Sequence, residues 1–183
     1  SDYGGSFYKE NFVFTSTRDT SGVSSMKHKW TNASFYNLYS ARVSSEGYLV
    51  DSEPLSKKVN SKFNESSAVF TKDGNTMYFT RNNYTNGKQR KDAAKTTLLK
   101  LYKATKGDGG EWTNVEELPF NSNEYNCAHP ALSPDDKILY FASNMPGTVG
   151  QSDIFKVAIN ADGSFGTPES LGGGINTEAR ETF

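Results

Sequence analysis

The stretch Met77-Tyr78-Phe79-Thr80-Arg81 answers to Phe12-Val13-Phe14-Thr15-Ser16 before it and to Leu139-Tyr140-Phe141-Ala142-Ser143 after it. Reading outward, each copy is followed by a second element: Leu38-Tyr39-Ser40-Ala41, Leu101-Tyr102-Lys103-Ala104 and Ile154-Phe155-Lys156-Val157. A glycine turn with an aromatic behind it comes next, as Gly47-Tyr48, Gly110-Glu111-Trp112 and Gly163-Ser164-Phe165. Each copy then reaches a leucine (Leu55, Leu118, Leu171) and a triplet of an apolar residue, an asparagine and a hydroxyl residue. The triplets are Val59-Asn60-Ser61, Phe120-Asn121-Ser122 and Ile175-Asn176-Thr177. Landmarks that recur in one order three times mark an internal repeat, which governs the architecture before any local reading does. The period is 65 residues from Phe14 to Phe79 and 62 from Phe79 to Phe141.

Each period holds four short strands. In the second they are predicted at about Ser66–Thr71, Thr76–Asn82, Thr97–Thr105 and Trp112–Leu118. Lys72-Asp73-Gly74-Asn75 joins the first two as a hairpin, because Gly and Asn tolerate the positive φ of such turns; Ser133-Pro134-Asp135-Asp136-Lys137 serves in the third copy. Helical patterning is confined to a turn or two within Asp92–Leu101. Four antiparallel strands, repeated, predict an all-β chain: a β-propeller of four-stranded antiparallel blades. One such sheet cannot bury both faces, so stacked neighbours bury them; solenoid repeats of leucine-rich or hexapeptide type are much shorter. Blade 1 is expected at about 1–61, blade 2 at 62–123 and blade 3 at 124–178. Arg180-Glu181-Thr182-Phe183 matches Asn64-Glu65-Ser66-Ser67, so a fourth blade is expected to begin at about 179–183. Propellers close with about four to eight blades, so the three are expected to be part of a larger ring.

The rest of the sequence narrows the class. Twenty basic and 21 acidic residues give a net charge of −1, which supplies no global field for nucleic acid. The longest apolar run, Ile138-Leu139-Tyr140-Phe141-Ala142, is far too short to span a bilayer as a helix. The start at Ser1-Asp2-Tyr3 carries no signal-peptide pattern, which leaves a cytoplasmic protein or a targeting segment further upstream. A single cysteine, Cys127, excludes an internal disulfide.

Pro130-Ala131-Leu132-Ser133-Pro134-Asp135-Asp136-Lys137-Ile138-Leu139-Tyr140-Phe141-Ala142-Ser143, with Ser152-Asp153-Ile154-Phe155 after it, resembles the WD40-like propeller repeat of TolB and related periplasmic proteins. Ile175-Asn176-Thr177-Glu178-Ala179-Arg180-Glu181-Thr182-Phe183, the opening Ser1-Asp2-Tyr3-Gly4, and Thr15-Ser16-Thr17-Arg18-Asp19 resemble propellers in OmpA-family outer-membrane proteins of the Bacteroidetes. In that family the propeller is flanked by helical repeats and a peptidoglycan-binding domain, and PorE-like members belong to the type 9 secretion and gliding apparatus. The resemblance implies a periplasmic, outer-membrane-associated protein. Blades one and two depart from the pattern, with Asn37 and Lys100 in the place of Asp153 and Ala68 in the place of Pro130.

Catalytic chemistry finds few candidates. His28, His129 and Cys127 are the only histidines and thiol; Cys127 and His129, two apart, would share a face of a regular strand. Their place at the lead-in to a blade argues for a structural role. Glu65 and Glu181 recur at matching repeat positions, which points to hydrogen bonding between blades more than to the paired carboxylates of a glycosidase. Asp153 is expected at a strand start, bonded to neighbouring amides. Asn160-Ala161-Asp162-Gly163 opens like a calcium loop but lacks the later carboxylates, and it reads as a turn; Asp108-Gly109-Gly110 reads the same way. Neither a metal nor a cofactor is expected. Sequons at Asn32, Asn64 and Asn83 are what chance yields in so polar a chain.

The informative features are two long loops between second and third strands. One, from about Arg18 to Asn37, holds Lys27, His28, Lys29 and Trp30. The other, Arg81–Lys100, sets six basic residues, with Lys88, Arg90 and Lys91 among them, against Asp92 alone, a net of +5 with Tyr84 nearby. Equivalent loops of adjacent blades emerge on one face, so these residues are read as a surface for acidic protein partners, held by charge-assisted bonds and aromatic contact. The alternative is a solvated lysine loop. The expected function is a non-catalytic interaction scaffold of the cell envelope. A carbohydrate- or peptidoglycan-binding module using Trp30, Tyr84 or Trp112 is the second reading. A glycoside hydrolase or the propeller of a peptidase is the third, and nucleic-acid binding ranks last.

Overall fold

A computed structural model describes residues 1–18, 35–61, 63–85, 88–89, 91, 93–94 and 96–182; of residues 84, 85, 88 and 89 it describes the main chain. The first sheet contains β1 (Asp2–Tyr8), β2 (Asn11–Ser16), β3 (Asn37–Val43) and β4 (Leu49–Pro54), in the order β1-β2-β3-β4. The second contains β5 (Glu65–Phe70), β6 (Thr76–Asn82), β9 (Leu99–Lys106) and β10 (Trp112–Glu117), in the order β10-β9-β6-β5. Between its middle strands lies a small hairpin of β7 (Tyr84–Thr85) and β8 (Lys88–Gln89). The third sheet contains β11 (Cys127–Leu132), β12 (Ile138–Ser143), β13 (Asp153–Ala158) and β14 (Glu169–Ser170), in that order. No helix occurs among the described residues, so the short helical stretch expected within 92–101 is not formed where it can be seen: Leu99–Leu101 already belong to β9.

The repeat landmarks become physical contacts. Asn60 Oδ1 accepts from Leu38 N at 2.8 Å, while Asn60 Nδ2 donates to Leu38 O at 2.9 Å. Asn121 treats Leu101 in the same way, at 2.9 and 2.7 Å, and Asn176 treats Ile154, at 2.8 and 3.0 Å. The leucine landmark meets the same peptide: Leu55, Leu118 and Leu171 donate their N–H to the carbonyls of Leu38, Leu101 and Ile154. A side-chain amide carries one donor side and one acceptor side, so it completes the ladder where the fourth strand has ended.

Turn chemistry repeats as well. The hairpin before the middle strand places Lys9, Gly74 and Asp136 in the left-handed region, at φ of 56°, 70° and 60°. Asp73 and Asp135 brace the later two by accepting from Thr71 Oγ1 and Asn75 N, and from Ser133 Oγ and Lys137 N. In the first strand of each sheet Gly4, Ser67 and His129 also take positive φ, and the register of the first and third sheets shifts around that residue. The shift is a β-bulge, which re-aims side chains.

Two compact units are formed, Ser1–Phe79 with Lys103–Glu116 and Thr80–Tyr102 with Glu117–Phe183. In the first, β5 lies against β1, β2 and β3. Tyr8, at the end of β1, rests on Phe70 (4.5 Å between ring centroids) and Trp112 (5.6 Å) and donates its hydroxyl to Gly74 O. Ser67 N, on the bulge, bonds Thr15 Oγ1. In the second unit the same bulge bond runs from His129 N to Thr80 Oγ1 at 2.9 Å. Phe120 stacks there on Phe141 at 4.9 Å and meets Phe165 edge-on at 5.6 Å. Each such aromatic pair adds about 0.5–1.5 kcal/mol beyond its burial.

Candidate functional site

The position shared by Asn37, Lys100 and Asp153 is the first residue of β3 and β13 and the second of β9, and all three side chains are buried. Each is bonded into the chain that precedes it or packs over it, with different chemistry. Asp153 accepts from Val149 N and Gly150 N, at 2.9 and 3.1 Å, as its place at a strand start led one to expect. Asn37 Nδ2 donates to Phe35 O. Lys100 Nζ donates to Glu117 Oε1 at 2.5 Å and to Asn123 Oδ1 at 3.0 Å, and Asn123 Oδ1 also accepts from the fully buried Asn83. Asn83 N in turn bonds Leu98 O at 2.7 Å. This polar platform closes the base of the β7–β8 hairpin, whose register pairs Tyr84 with Gln89 and Thr85 with Lys88.

The basic loop of the second sheet is therefore divided. Lys100 is committed to its ion pair with Glu117, and Arg81 is buried with its guanidinium 4.9 Å from the centre of the Tyr102 ring. Neither belongs to a free cationic surface, which corrects the +5 reading. Lys88, Arg90, Lys91 and Lys95 against Asp92 leave +3. Lys91 is exposed. Lys27, His28, Lys29, Trp30 and Arg90 lie outside the described residues, as do the side chains of Tyr84 and Lys88. That β7 and β8 form a hairpin was missed, although Asn86-Gly87 stands between them and Asn-Gly is the strongest short hairpin signal.

Other candidates resolve into structural roles. The bulge separates Cys127 from His129, because φ of 56° at His129 breaks the alternation that would have put both on one face. Cys127 is fully buried, 3.7 Å from Ser143 Oγ, and burial pushes its thiol up to about 12. His129, half-buried, is held below the ordinary imidazole value by desolvation. It lines a cleft of about 250 Å³ with Asn126, Ser143, Ser152 and Arg180. Glu65 accepts from Ser61 N and, in a short bond, from Ser61 Oγ; Glu181 accepts from Thr177 Oγ1. Both carboxylates thus bond the hydroxyl residue of their own triplet, four residues back. The bonds expected between neighbouring elements are made by their main chains, Glu65 N to Tyr36 O and Glu181 N to Ser152 O.

Trp112 is buried against Tyr8 and Phe70, which removes it from any sugar-stacking surface. Residues 160–164 form a turn in which Asp162 accepts from Ser164 N and Oγ. Among the described residues no group of three His, Cys, Asp or Glu side chains is placed to hold a metal ion. Asn64 accepts from Tyr36 N, so this sequon asparagine, like Asn83, is engaged internally.

Comparison with protein-family models gives no match, and comparison with curated proteins gives none. Among solved structures, a puromycin-hydrolyzing peptidase of Mycobacterium tuberculosis is similar over 93% of this chain and 23% of its own, at 12% identity and a TM-score of 0.54. A puromycin hydrolase is also similar, over 93% of this chain and 32% of its own, at 12% identity and a TM-score of 0.49. The chain therefore spans less than a third of either, and the likeness concerns the fold. With three antiparallel four-stranded sheets, it defines an all-β protein of the β-propeller class.

Proposed function

We propose that this chain is a non-catalytic, protein-binding scaffold of the bacterial cell envelope, periplasmic and associated with the outer membrane or peptidoglycan. The setting rests on the resemblance of the 130–155 and 175–183 segments to TolB-type and OmpA-family propellers, including those linked to type 9 secretion. The reading of the surface rests on one observation: the β7–β8 hairpin stands on a hydrogen-bonded platform in which the buried Asn83 and Lys100 are held by Asn123 and Glu117 nearer the surface. A basic loop fixed at its base loses less conformational entropy on binding than a free one does. Its remaining cations favour a partner with an acidic surface, through charge-assisted bonds. The non-catalytic part draws on the internal use of Cys127, Glu65, Glu181 and Asp153 described above.

The test replaces Lys88, Arg90 and Lys91 together by glutamate and compares retention of envelope proteins on the immobilised chain, at low and high salt. The expected result is loss of retention in the variant and in high salt, with an unchanged melting temperature. Equal retention by both proteins removes the basic hairpin from the function.

A further inference from the structure

The fourth strand ends each sheet, as β4, β10 and β14. A strand in that place points alternate N–H and C=O groups away from its own sheet, where another strand can pair with them. All three strands carry one irregularity at one repeat position. In the first sheet Val50 faces Arg42 and Glu53 faces Ser40, so Asp51 and Ser52 together oppose Ala41. In the third, Gly166 N bonds Ala158 O and Glu169 faces Lys156, so Thr167 and Pro168 together oppose Val157. In the second, Gly107 N bonds Glu111 O and Leu118 N bonds Leu101 O, so six residues of the outer strand run beside five of the inner one. The extra residue there is Asn114, at φ of 47°, as Asp51 is at 53°. Asp51, Asn114 and Thr167 lie twelve residues after Tyr39, Tyr102 and Phe155 respectively. Two residues against one make a β-bulge, which bends and twists the strand that carries it.

The bulge is fitted to the sheet beneath it. Ala41, Ala104 and Val157, the inner residues opposite, are at most 1% exposed. The bulged side chains turn back onto their own sheet. Asp51 accepts from Arg42 Nε and Nη2 at 3.2 and 2.8 Å, and Asn114 Nδ2 donates to Thr105 Oγ1 at 3.1 Å. Proline adds to this in two of the sheets. Leu55 N and Leu171 N point inward, to Leu38 O and Ile154 O. By alternation the nitrogens of Pro54 and Pro168 face outward, and neither carries a hydrogen to offer.

We infer that this shared bulge, with Pro54 and Pro168, bars a further strand from pairing with the outer edge of each sheet. An incoming strand matches the outward groups on one side of the bulge and falls out of register on the other. Partners are then held by side chains of loops, and strand addition is excluded as the mode of recognition at these edges. The inference stands apart from the basic hairpin and does not rest on it.

Sedimentation velocity over a concentration series tests it, on a chain lacking Asp51, a chain lacking Asn114 and Pro168→Val, with circular dichroism as the check of fold. Deleting the bulged residue restores plain alternation, while Pro168→Val supplies an outward N–H and leaves the register alone. Each variant is expected to associate at about tenfold lower concentration than the wild type, the scale of one or two recovered hydrogen bonds, and to raise thioflavin T fluorescence. Asp51→Gly loses the ion pair with Arg42 but suits a positive φ, and it is expected to sediment as the wild type does. Folded deletion chains that sediment as the wild type does overturn the inference and leave the bulge a matter of twist alone. An Asp51→Gly chain that associates as the deletion does also overturns it, by assigning the protection to the charge. Should both deletions fail to fold, Pro168→Val decides, and its sedimenting as the wild type does overturns the inference.

Discussion

Asn60, Asn121 and Asn176 each present an acceptor and a donor to a single facing peptide, and all three do so within 3.0 Å. Removing one amide leaves a buried main-chain N–H with nothing to donate to, at a cost of about 1–3 kcal/mol. Asn176→Ala and Asn60→Ala are therefore each expected to lower the unfolding free energy by that amount, read as a lower urea midpoint at unchanged slope. The asparagines stood out in the sequence as landmarks, but their role did not, because each bonds a residue about 20 positions earlier that only the folded sheet brings near. Cys127 makes a second test at this scale. With its thiol pushed from 9.0 to about 12, the reactive thiolate is about a thousandfold scarcer than in a free cysteine. Modification by a disulfide reagent at pH 8 is expected to be slower by about that factor, until urea exposes the side chain.

Turns and bulges decide behaviour at the scale of the element. Lys9, Gly74 and Asp136 occupy one repeat position at positive φ, where a side chain costs about 1–2 kcal/mol. Lys9→Gly is expected to raise stability by up to about 1 kcal/mol. Gly74→Ala is expected to lower it by more than about 1 kcal/mol, since its Cβ would also meet Tyr8 at 3.2 Å. The bulge at His129 gives a pH test. Its imidazole is held below 6.5 by burial, so below about pH 6.5 the unfolded chain takes up a proton that the folded chain refuses. Stability therefore falls as pH drops from 7 toward 5, and His129→Asn, which tolerates the positive φ, should flatten that slope in thermal melts. The strands themselves were legible: β5, β6, β9 and β10 fall within about two residues of the positions that alternation and turn residues indicate. The bulge was not, because no composition rule marks a histidine in the left-handed region. Arg81 and Lys100 misled for a related reason, since counting charge cannot reveal that a cation has turned inward to Tyr102 or Glu117.

For the molecule as a whole, the repeat carried the fold and the variation between repeats carried everything else. The third sheet holds the same peptide contacts as the first two although β14 has two residues where β4 and β10 have six. A foreign segment of about ten flexible residues inserted after Gly163 should accordingly cost less than about 1 kcal/mol in a melting experiment, roughly the entropy of a longer loop. The asparagine amide has a wider consequence. With the last strand fastened at its far end by one side chain, its length and composition are released from selection for pairing. Copies of such a unit can be duplicated in tandem and then diverge along their outer rims while the inner strands stay alike. A lineage built this way acquires new surfaces without having to invent a new scaffold for each.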